Sequence, residues 1–360
     1  MARSSQTDSG STTTLPIMRG RERMKAALRR QPVDCTPVWF MRQAGRCLPE
    51  YRALRERHGF LEVATTPELA VEATLMPVDR LGVDGAVLFA DIMLPLASIG
   101  VPFRIEAGIG PVIDQPIRTA QDIEALDLIP AAEATPYVFD AIRLLRRELG
   151  DRAAVLGFAG APFTLACYLV EGRGSREYPR AKALMYGQPE LWHRLMQRIT
   201  SATIDYLKGQ TDAGADVVQL FDSWLGLLGP TTYETHVLPY TSHIFEALRG
   251  TVPTIHFSTG TTSLLGQIAA SGCEAVSVDW RLPLDEAWSR VGLERAIQGN
   301  LDPTLALAPW PAVEAGVRDV LLRADGRTGH IFNLGHGILP ETDPENLARI
   351  VDLVHETTAR

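Results

Sequence analysis

The chain has 360 residues, of which 46% are hydrophobic and 22% are charged, and its formal net charge is −8. This is an ordinary globular composition, sufficient for one large domain or two modest ones. The acidic balance argues against nucleic acid as a partner, and no apolar run approaches the roughly 20 residues that span a membrane.

The first segment, 1–15, is rich in Ser and Thr and has no apolar core. This pattern does not fit a signal peptide, and Asp8 and the low Arg content argue against a transit peptide. We therefore predict a disordered tail over residues 1–15 and a single domain over residues 16–360.

Four cysteines, Cys35, Cys47, Cys167 and Cys273, are scattered along the chain without a Cys-x-x-Cys pair. This spacing argues against a disulfide framework and against a zinc ribbon. Reduced thiols fit a cytoplasmic location best.

Eight short apolar runs, each followed by a polar or glycine-rich stretch, predict buried β-strands. In chain order they are Thr36–Met41, Gly85–Ala90, Ala153–Phe158, Asp216–Phe221, Val252–Phe257, Ala275–Val278, Ala296–Gly299 and His330–Leu334. Between them lie segments with helical spacing, among them Ala181–Gly209, Pro239–Leu248 and Val313–Leu322. The alternation predicts an α/β fold with a parallel sheet, and eight units predict a single (β/α)8 TIM-type barrel.

The competing fold, an open doubly wound sheet, would more often have about six strands and a Gly-x-Gly-x-x-Gly turn after the first. No such turn is present. Val101–Ile117, with Gly108, Gly110 and Pro111 at its centre, predicts a hairpin insertion after the second strand.

Active sites of TIM barrels lie at the C-terminal ends of the strands. We therefore predict a polar ring around one mouth of the barrel. In chain order its members are Arg42, Gln43, Arg46, Asp91, Phe163, Tyr168, Asp222, Ser223, Ser258, Asp279, Asn300, Asp302, Asn333 and His336.

Two arginines follow the first predicted strand, in the segment Pro37–Pro49, PVWFMRQAGRCLP. On a glycine-containing turn, Arg42 and Arg46 can aim two planar guanidinium groups at one anionic ligand. A generic Arg-x-x-x-Arg is more often a solvated loop, so the spacing alone leaves both interpretations open.

Asp91 stands between two apolar stretches, 87–90 and 92–95. One interpretation is a helix N-cap. The other is a partly desolvated carboxylate at the mouth, whose pKa burial would raise and nearby arginines would lower.

Three further segments lie at predicted strand ends. The small residues of Gly157–Gly172 would allow a large flat ligand to approach the backbone. Ser223 has no Gly-x-Ser-x-Gly elbow, which argues against a nucleophile. His336 lies between two glycines within Asn333–Gly337, and the sequence contains no His-Glu-x-x-His or His-x-Cys pair, so we predict no metal.

Several of these segments resemble signature sequences of the uroporphyrinogen decarboxylase family: Pro37–Pro49, the context of Asp91, Gly157–Gly172 and Asn333–Gly337. The resemblance runs from about Arg23 to the C-terminus. It implies a distorted barrel that removes the four acetate carboxyl groups of uroporphyrinogen III as CO2, giving coproporphyrinogen III for haem and chlorophyll biosynthesis. It also implies a cofactor-independent, homodimeric enzyme.

The resemblance further implies the roles of individual residues. Asp91 and Arg42 would be catalytic. The substrate-binding residues would be Arg42, Gln43, Ala44, Gly45, Arg46, Arg55, Asp91, Tyr168, Ser223 and His336. Many relatives have an aromatic residue where this chain has Cys47, which we interpret as a packing change.

Two other functions are compatible with the same fold. A cobalamin-linked methyltransferase would need zinc ligands, a His-x-Cys pair and a later Cys, which the sequence lacks. A non-catalytic tetrapyrrole-binding protein would keep the arginines but could lose Asp91.

Overall fold

The computed structural model describes residues 16–106 and 108–360, so the predicted disordered tail lies outside the described residues. The strands are β1 Gly85–Val87, β2 Arg104–Glu106, β3 Gly110–Val112, β4 Ala154–Gly160, β5 Val217–Asp222, β6 Thr254–Ser258, β7 Ala275–Ser277, β8 Ala296–Gln298 and β9 His330–Ile331. Short 3₁₀ helices are Leu94–Ile99, Leu225–Leu227 and Pro303–Leu307.

The α-helices lie before, between and after these strands in the chain. They are α1 Gly20–Leu28, α2 Pro49–Arg57, α3 Phe60–Thr65, α4 Pro67–Leu81, α5 Ala120–Glu124, α6 Ala131–Ala134, α7 Pro136–Leu149, α8 Pro162–Glu171, α9 Pro179–Gly187, α10 Pro189–Ala213, α11 Pro230–His236, α12 Leu238–Leu248, α13 Leu265–Ala270, α14 Leu284–Val291, α15 Trp310–Ala324 and α16 Pro344–Thr358. None of these described helices is long and apolar enough to cross a membrane.

The main sheet has seven strands in the order β1-β4-β5-β6-β7-β8-β9, and every neighbouring pair is parallel. Parallel strands need crossover connections, which the intervening helices supply. Strand β4, the second in this order, is buried along its whole length, as expected for a parallel strand with both faces covered. The predicted parallel α/β architecture is therefore confirmed as a curled sheet of seven strands.

The first predicted strand, Thr36–Met41, is reduced to a single parallel bridge between Val38 and Phe332. On its other side the Val38 carbonyl accepts a hydrogen bond of 2.8 Å from the Asp84 N–H. A longer ladder is prevented because Pro37 has no N–H and the Val38 N–H is taken by the Asp84 carboxylate at 2.8 Å. The segment around Val38 nevertheless lies between β9 and β1.

Outside the main sheet, β2 pairs antiparallel with β3, with Arg104 opposite Val112 and Glu106 opposite Gly110. This pair lies inside the segment Val101–Ile117. Val112 also forms a bridge with Arg173, which ties the pair to the loop after α8.

The segment Ala181–Gly209, which has helical spacing, is helical except at Gln188, and it is divided between two helices, α9 and α10. The break falls at Gln188, because Pro189 cannot donate the backbone hydrogen bond that would continue α9. The same proline is well suited to the first position of the next helix.

Buried ion pairs lie at the N-terminal ends of the strands, opposite the predicted mouth. Asp84, which directly precedes β1, is 2% exposed and accepts hydrogen bonds from Arg23, the Val38 N–H and His355. Asp216 directly precedes β5 and pairs with Arg21 and Arg146. Residues on this face of a barrel generally serve stability.

All four cysteines are buried free thiols. Burial raises the pKa of Cys47 and that of Cys273 to about 11. They therefore act as small hydrophobic side chains.

Candidate active site

Residues from five elements meet at the C-terminal end of the sheet, which we call the mouth. Arg42 follows the Val38 bridge, Asp91 follows β1, Tyr168 lies on α8 after β4, Ser223 follows β5 and His336 follows β9. Burial dominates their pKa values, and their charges also interact. Burial raises the pKa of Asp91, which the charge of Arg42 opposes, and burial lowers the pKa of His336, to which Arg42 adds. Burial also raises the pKa of Tyr168, to which the charge of Asp91 adds. The structure thus places five of the ten residues predicted for the site at this end of the sheet.

Arg42 occupies a left-handed backbone conformation, with φ of +62°, and its side chain is exposed. The side chain lies over Gly337, where an added Cβ would be 2.5 Å from Arg42 Cδ. A Cβ at Gly45 would be 2.6 Å from the Arg42 carbonyl oxygen. The two glycines therefore create the space that the turn and its arginine occupy.

Gln43 is fully buried, and its amide is used for internal hydrogen bonds. The side-chain oxygen accepts from the Phe40 N–H at 3.0 Å, and the amide nitrogen donates to the Gly85 carbonyl at 2.9 Å. Gln43 therefore links the arginine turn to β1, and its side chain does not face the mouth.

The exposed Arg46 and the half-buried Arg55 both lie near Tyr51, whose pKa is raised by burial and lowered by these two positive charges. Arg55 donates to the His58 carbonyl at 2.7 Å and lies 5.6 Å from the Phe60 ring. In the described residues neither Arg42 nor Arg46 pairs with a carboxylate. These guanidinium groups remain available to an anionic ligand.

Asp91 is half-buried and accepts a hydrogen bond of 2.8 Å from the Met93 N–H, just before the 3₁₀ helix Leu94–Ile99. Burial raises the pKa of Asp91 to about 6, against the opposing effects of the Met93 N–H and of Arg42. Met93, not Asp91, is the N-cap of that helix, which has no side-chain cap, so the N-cap interpretation of the sequence was wrong. Asp91 is instead a partly desolvated carboxylate. At neutral pH it is ionised but close to its titration range.

Two aromatic side chains pack against Tyr168. Its ring centroid is 6.1 Å from those of Tyr178 and Trp224, which are 5.0 Å from each other. Neither Tyr178 nor Trp224 is among the predicted site residues, although Trp224 directly follows Ser223 at the end of β5. Tyr178 is fully buried and Trp224 is half-buried, so this cluster fixes the position of Tyr168 at the mouth.

Ser223 is half-buried, and its carbonyl accepts a hydrogen bond of 3.3 Å from Thr259 Oγ1. The preceding Asp222 points the other way and is fully buried, where it accepts from Thr164 Oγ1 at 2.8 Å. These two hydrogen bonds hold the end of β5 in place. The Ser223 hydroxyl can therefore serve as a hydrogen-bonding group for a ligand.

His336 is half-buried, and the Gly337 N–H donates to its Nδ1 at 2.7 Å. This bond places the imidazole proton on Nε2. Burial lowers the pKa of His336 to about 4, with further lowering by Arg42 and Arg281 and an opposing effect of Asp279. At neutral pH His336 is therefore an uncharged hydrogen-bond donor.

Other members of the predicted ring serve the fold instead of the mouth. The Asn300 amide donates to the carbonyls of Asp279 and Leu282, at 2.9 and 2.8 Å. Asp302 caps the 3₁₀ helix Pro303–Leu307, and Phe163 is fully buried. Their position at strand ends was predicted correctly, but strand periodicity does not reveal which way each side chain points.

The described residues contain no group of three or more His, Cys, Asp or Glu side chains that could hold a metal ion. What the mouth offers is positive charge, neutral hydrogen-bond donors, aromatic side chains and the Asp91 carboxylate. This set suits a polyanionic ligand on which positive charge develops during reaction.

Comparison with known proteins gives consistent matches. The family model for uroporphyrinogen decarboxylase (URO-D) matches residues 19–357. Uroporphyrinogen decarboxylase of Streptomyces coelicolor is 54% identical, covering 93% of this chain and 94% of that protein. The corresponding protein of Carboxydothermus hydrogenoformans is 49% identical, covering 92% of this chain and 95% of that protein.

Solved structures support the fold. A methyltransferase from Methanosarcina mazei superposes with a TM-score of 0.77 at 21% identity, covering 94% of this chain and 99% of that one. A B12-independent methionine synthase from Shewanella sp. W3-18-1 gives a TM-score of 0.56 at 10% identity, covering 81% and 88% of the two chains. At these identities the likeness concerns the architecture alone.

Proposed function

This chain belongs to the uroporphyrinogen decarboxylase family, and we propose that it removes the acetate carboxyl groups of uroporphyrinogen at the mouth built around Asp91. Its activity is that of a carboxy-lyase of porphyrin biosynthesis. The observation that carries the assignment of the site is the half-buried Asp91 carboxylate, with a pKa of about 6, near Arg42, which pairs with no carboxylate in the described part of the chain.

The chemistry makes a specific electrostatic demand. Loss of CO2 from an acetate arm would leave a carbanion on the pyrrole, unless the ring is first protonated and becomes a cationic electron sink. A carboxylate near the pyrrole N–H groups stabilises that cation as it forms, and a preorganised one does so with little reorganisation. We assign this role to Asp91, whose hydrogen bond to the Met93 N–H holds it in place.

We assign Arg42 to the reacting acetate. Its guanidinium has a pKa above about 12 in proteins, so direct proton donation would be costly. Arg42 therefore binds and orients the carboxylate, and a proton passes more readily through water. The other proposed substrate-binding residues are Gln43, Ala44, Gly45, Arg46, Arg55, Tyr168, Ser223 and His336, with Gln43 and Gly45 acting through the shape of the turn.

The proposal also covers the domain, the closure of the barrel and the oligomeric state. We propose that residues 16–360 form one domain, that the Val38 segment completes a distorted (β/α)8 barrel, and that β2 and β3 form an insertion after its second strand. The bridge from Val38 to Phe332 and the hydrogen bond from Asp84 support closure. We further propose a cytoplasmic homodimer.

The activity is tested by incubating the protein with uroporphyrinogen III under reducing, anaerobic conditions and separating the oxidised products by chromatography. Products with seven, six, five and four carboxyl groups are expected. Unchanged octacarboxylate would contradict the proposed function.

Arg42 and Arg46 are expected to act on different steps. Arg46→Ala should raise KM about tenfold with little change in kcat, because a remote carboxylate is bound equally in ground and transition states. Arg42→Ala should lower kcat about 10- to 100-fold, because its interaction strengthens as charge redistributes. Steady-state kinetics of both variants, with the exposed Arg57→Ala as a matched control, measures the difference. If Arg42→Ala changed KM alone, Arg42 would be a binding residue only.

The zinc-dependent alternative is tested by chelation. Activity should survive dialysis against a strong chelator, because neither the motifs nor the described residues supply a metal-ligand cluster. Metal analysis before and after dialysis accompanies the assay. Stoichiometric zinc, together with activity lost on dialysis and restored by zinc, would favour a methyltransferase-like enzyme.

A further inference from the structure

Arg281 lies at the mouth but is absent from the set of residues assigned above. It stands four residues after the end of β7, and its positive charge acts on His336. The turn that carries it is held against the Asn333–Gly337 segment, since an added Cβ at Gly335 would be 2.5 Å from the Trp280 nitrogen. Arg281 is therefore a neighbour of a proposed substrate-binding residue.

The guanidinium of Arg281 is fixed in direction before any ligand arrives. Asp279 Oδ2 accepts a hydrogen bond of 2.6 Å from its Nη1, and Asp279 Oδ1 accepts from the Arg281 backbone N–H at 2.9 Å. The guanidinium carbon lies 4.3 Å from the centroid of the Trp280 ring. Stacking and pairing restrict an otherwise flexible side chain, which lowers the entropy cost of binding.

Asp279, which binds the Arg281 guanidinium, is itself buried and held by a further hydrogen bond. The side chain of Asp279 is only 6% exposed and also accepts from the Gly260 N–H at 2.6 Å, whereas the side chain of Arg281 is 50% exposed. One end of the guanidinium therefore faces a buried carboxylate and the other end faces solvent. The donors on Nε and Nη2 have no partner among the described residues and are available to a second carboxylate.

The position of Arg281 relative to Asp91 determines what it can bind. In the order β1-β4-β5-β6-β7, the strand before Arg281 lies four places from the strand before Asp91. Neighbouring strands are about 4.8 Å apart, and four places in an eight-stranded barrel is the opposite side. A ligand that reaches both residues must carry a carboxylate far from its reacting centre.

We propose that Arg281 is a further substrate-binding residue, which holds a carboxylate of the tetrapyrrole on the side of the mouth opposite Asp91. This inference rests on the proposed function, in which uroporphyrinogen presents carboxylate arms on every pyrrole. The contact is remote from the bond that breaks. It therefore stabilises the bound substrate and the transition state equally.

The test compares Arg281→Ala, Arg281→Lys and wild type in two assays. In turnover of uroporphyrinogen, Arg281→Ala should raise KM about tenfold and leave kcat within about twofold. In direct binding, the affinity for uroporphyrin, the oxidised octacarboxylate, should fall by a similar factor. Arg281→Lys should recover only part of both losses, because an ammonium has neither the planar stack nor the fork.

Arg349→Ala is the matched control, since Arg349 stacks on Trp310 at 3.7 Å on the outer helices α16 and α15. It should change neither assay. Unchanged KM and uroporphyrin affinity in Arg281→Ala would overturn the inference, and so would a fall in kcat alone, which would indicate a structural role for the Asp279 pair. Failure of the proposed function is separate: wild type would then bind uroporphyrin without decarboxylating uroporphyrinogen.

Discussion

Asp91→Asn is expected to lower the turnover of uroporphyrinogen by about 10²- to 10³-fold, because it removes one preorganised stabiliser of a forming charge. The substitution keeps the size of the side chain and an oxygen that can accept from the Met93 N–H. Substrate affinity should change little, since the arginines that bind the carboxylates are untouched. Single-turnover kinetics and uroporphyrin binding measure the two quantities separately.

The pKa of Asp91 gives the same prediction a pH dependence. Because the folded-state pKa is raised from 3.8 to about 6, the ionised form of wild type is lost as pH falls through 6. The kcat/KM of wild type should therefore decline below about pH 6. The residual kcat/KM of Asp91→Asn should not show this decline.

The stability of the variant supplies an independent check. A carboxylate whose pKa is raised by folding binds protons more tightly in the folded state, so its cost to stability grows as pH rises from about 4 to 6 and persists above. Asp91→Asn should then be as stable as wild type at pH 7, or more stable by about 1–3 kcal/mol.

Asp343→Asn is the control for Asp91→Asn, because Asp343 also accepts a hydrogen bond from the N–H two residues on, at 3.0 Å, but lies at the start of α16. Its activity should equal that of wild type. Near wild-type product formation by Asp91→Asn would remove the catalytic role assigned to Asp91.

Asp84→Ala is expected to destabilise the fold by about 3–5 kcal/mol, because it leaves the buried Arg23 charge short of a partner. It also removes the acceptor for the Val38 N–H and for His355, both at 2.8 Å. Asp34 would still bind Arg23, at 2.7 Å, so the loss is partial. The midpoint of urea denaturation at pH 7 measures the change.

Asp79→Ala is the matched surface control. Asp79 pairs with Arg152 at 2.6 Å, but the two side chains are 59% and 49% exposed, and such pairs contribute about 0–1 kcal/mol. If Asp84→Ala were no more destabilising than Asp79→Ala, the buried hydrogen bonds of Asp84 would not stabilise the fold as proposed.

The succession of strands and helices was predictable because the spacing of apolar residues, and the Gly, Pro and polar residues that interrupt it, are local properties of the sequence. The apolar runs 153–158, 216–221 and 252–257 lie within about two residues of β4, β5 and β6. Asp91 and His336 could be placed at strand ends for the same reason. The break between α9 and α10 is local in the same way, since it follows from Pro189.

The remainder depends on long-range contacts that no local pattern encodes. Gln43 and Asn300 are typical ligand-binding side chains by type, yet both satisfy buried backbone groups. Arg281 follows an unremarkable turn, and only the fold places it beside His336. The first strand shrinks to one bridge because the Asp84 side chain, from far along the chain, takes the Val38 N–H.

The left-handed backbone at Arg42 has a consequence for protein engineering and for sequence drift. With φ of +62°, this position favours Gly, Asn or Asp, and none of these carries a positive charge. A variant library selected for stability alone would therefore move away from arginine there, and one selected for turnover would return to it. Position 42 is thus a place where thermostability and activity pull in opposite directions, as is common where an active site stores strain.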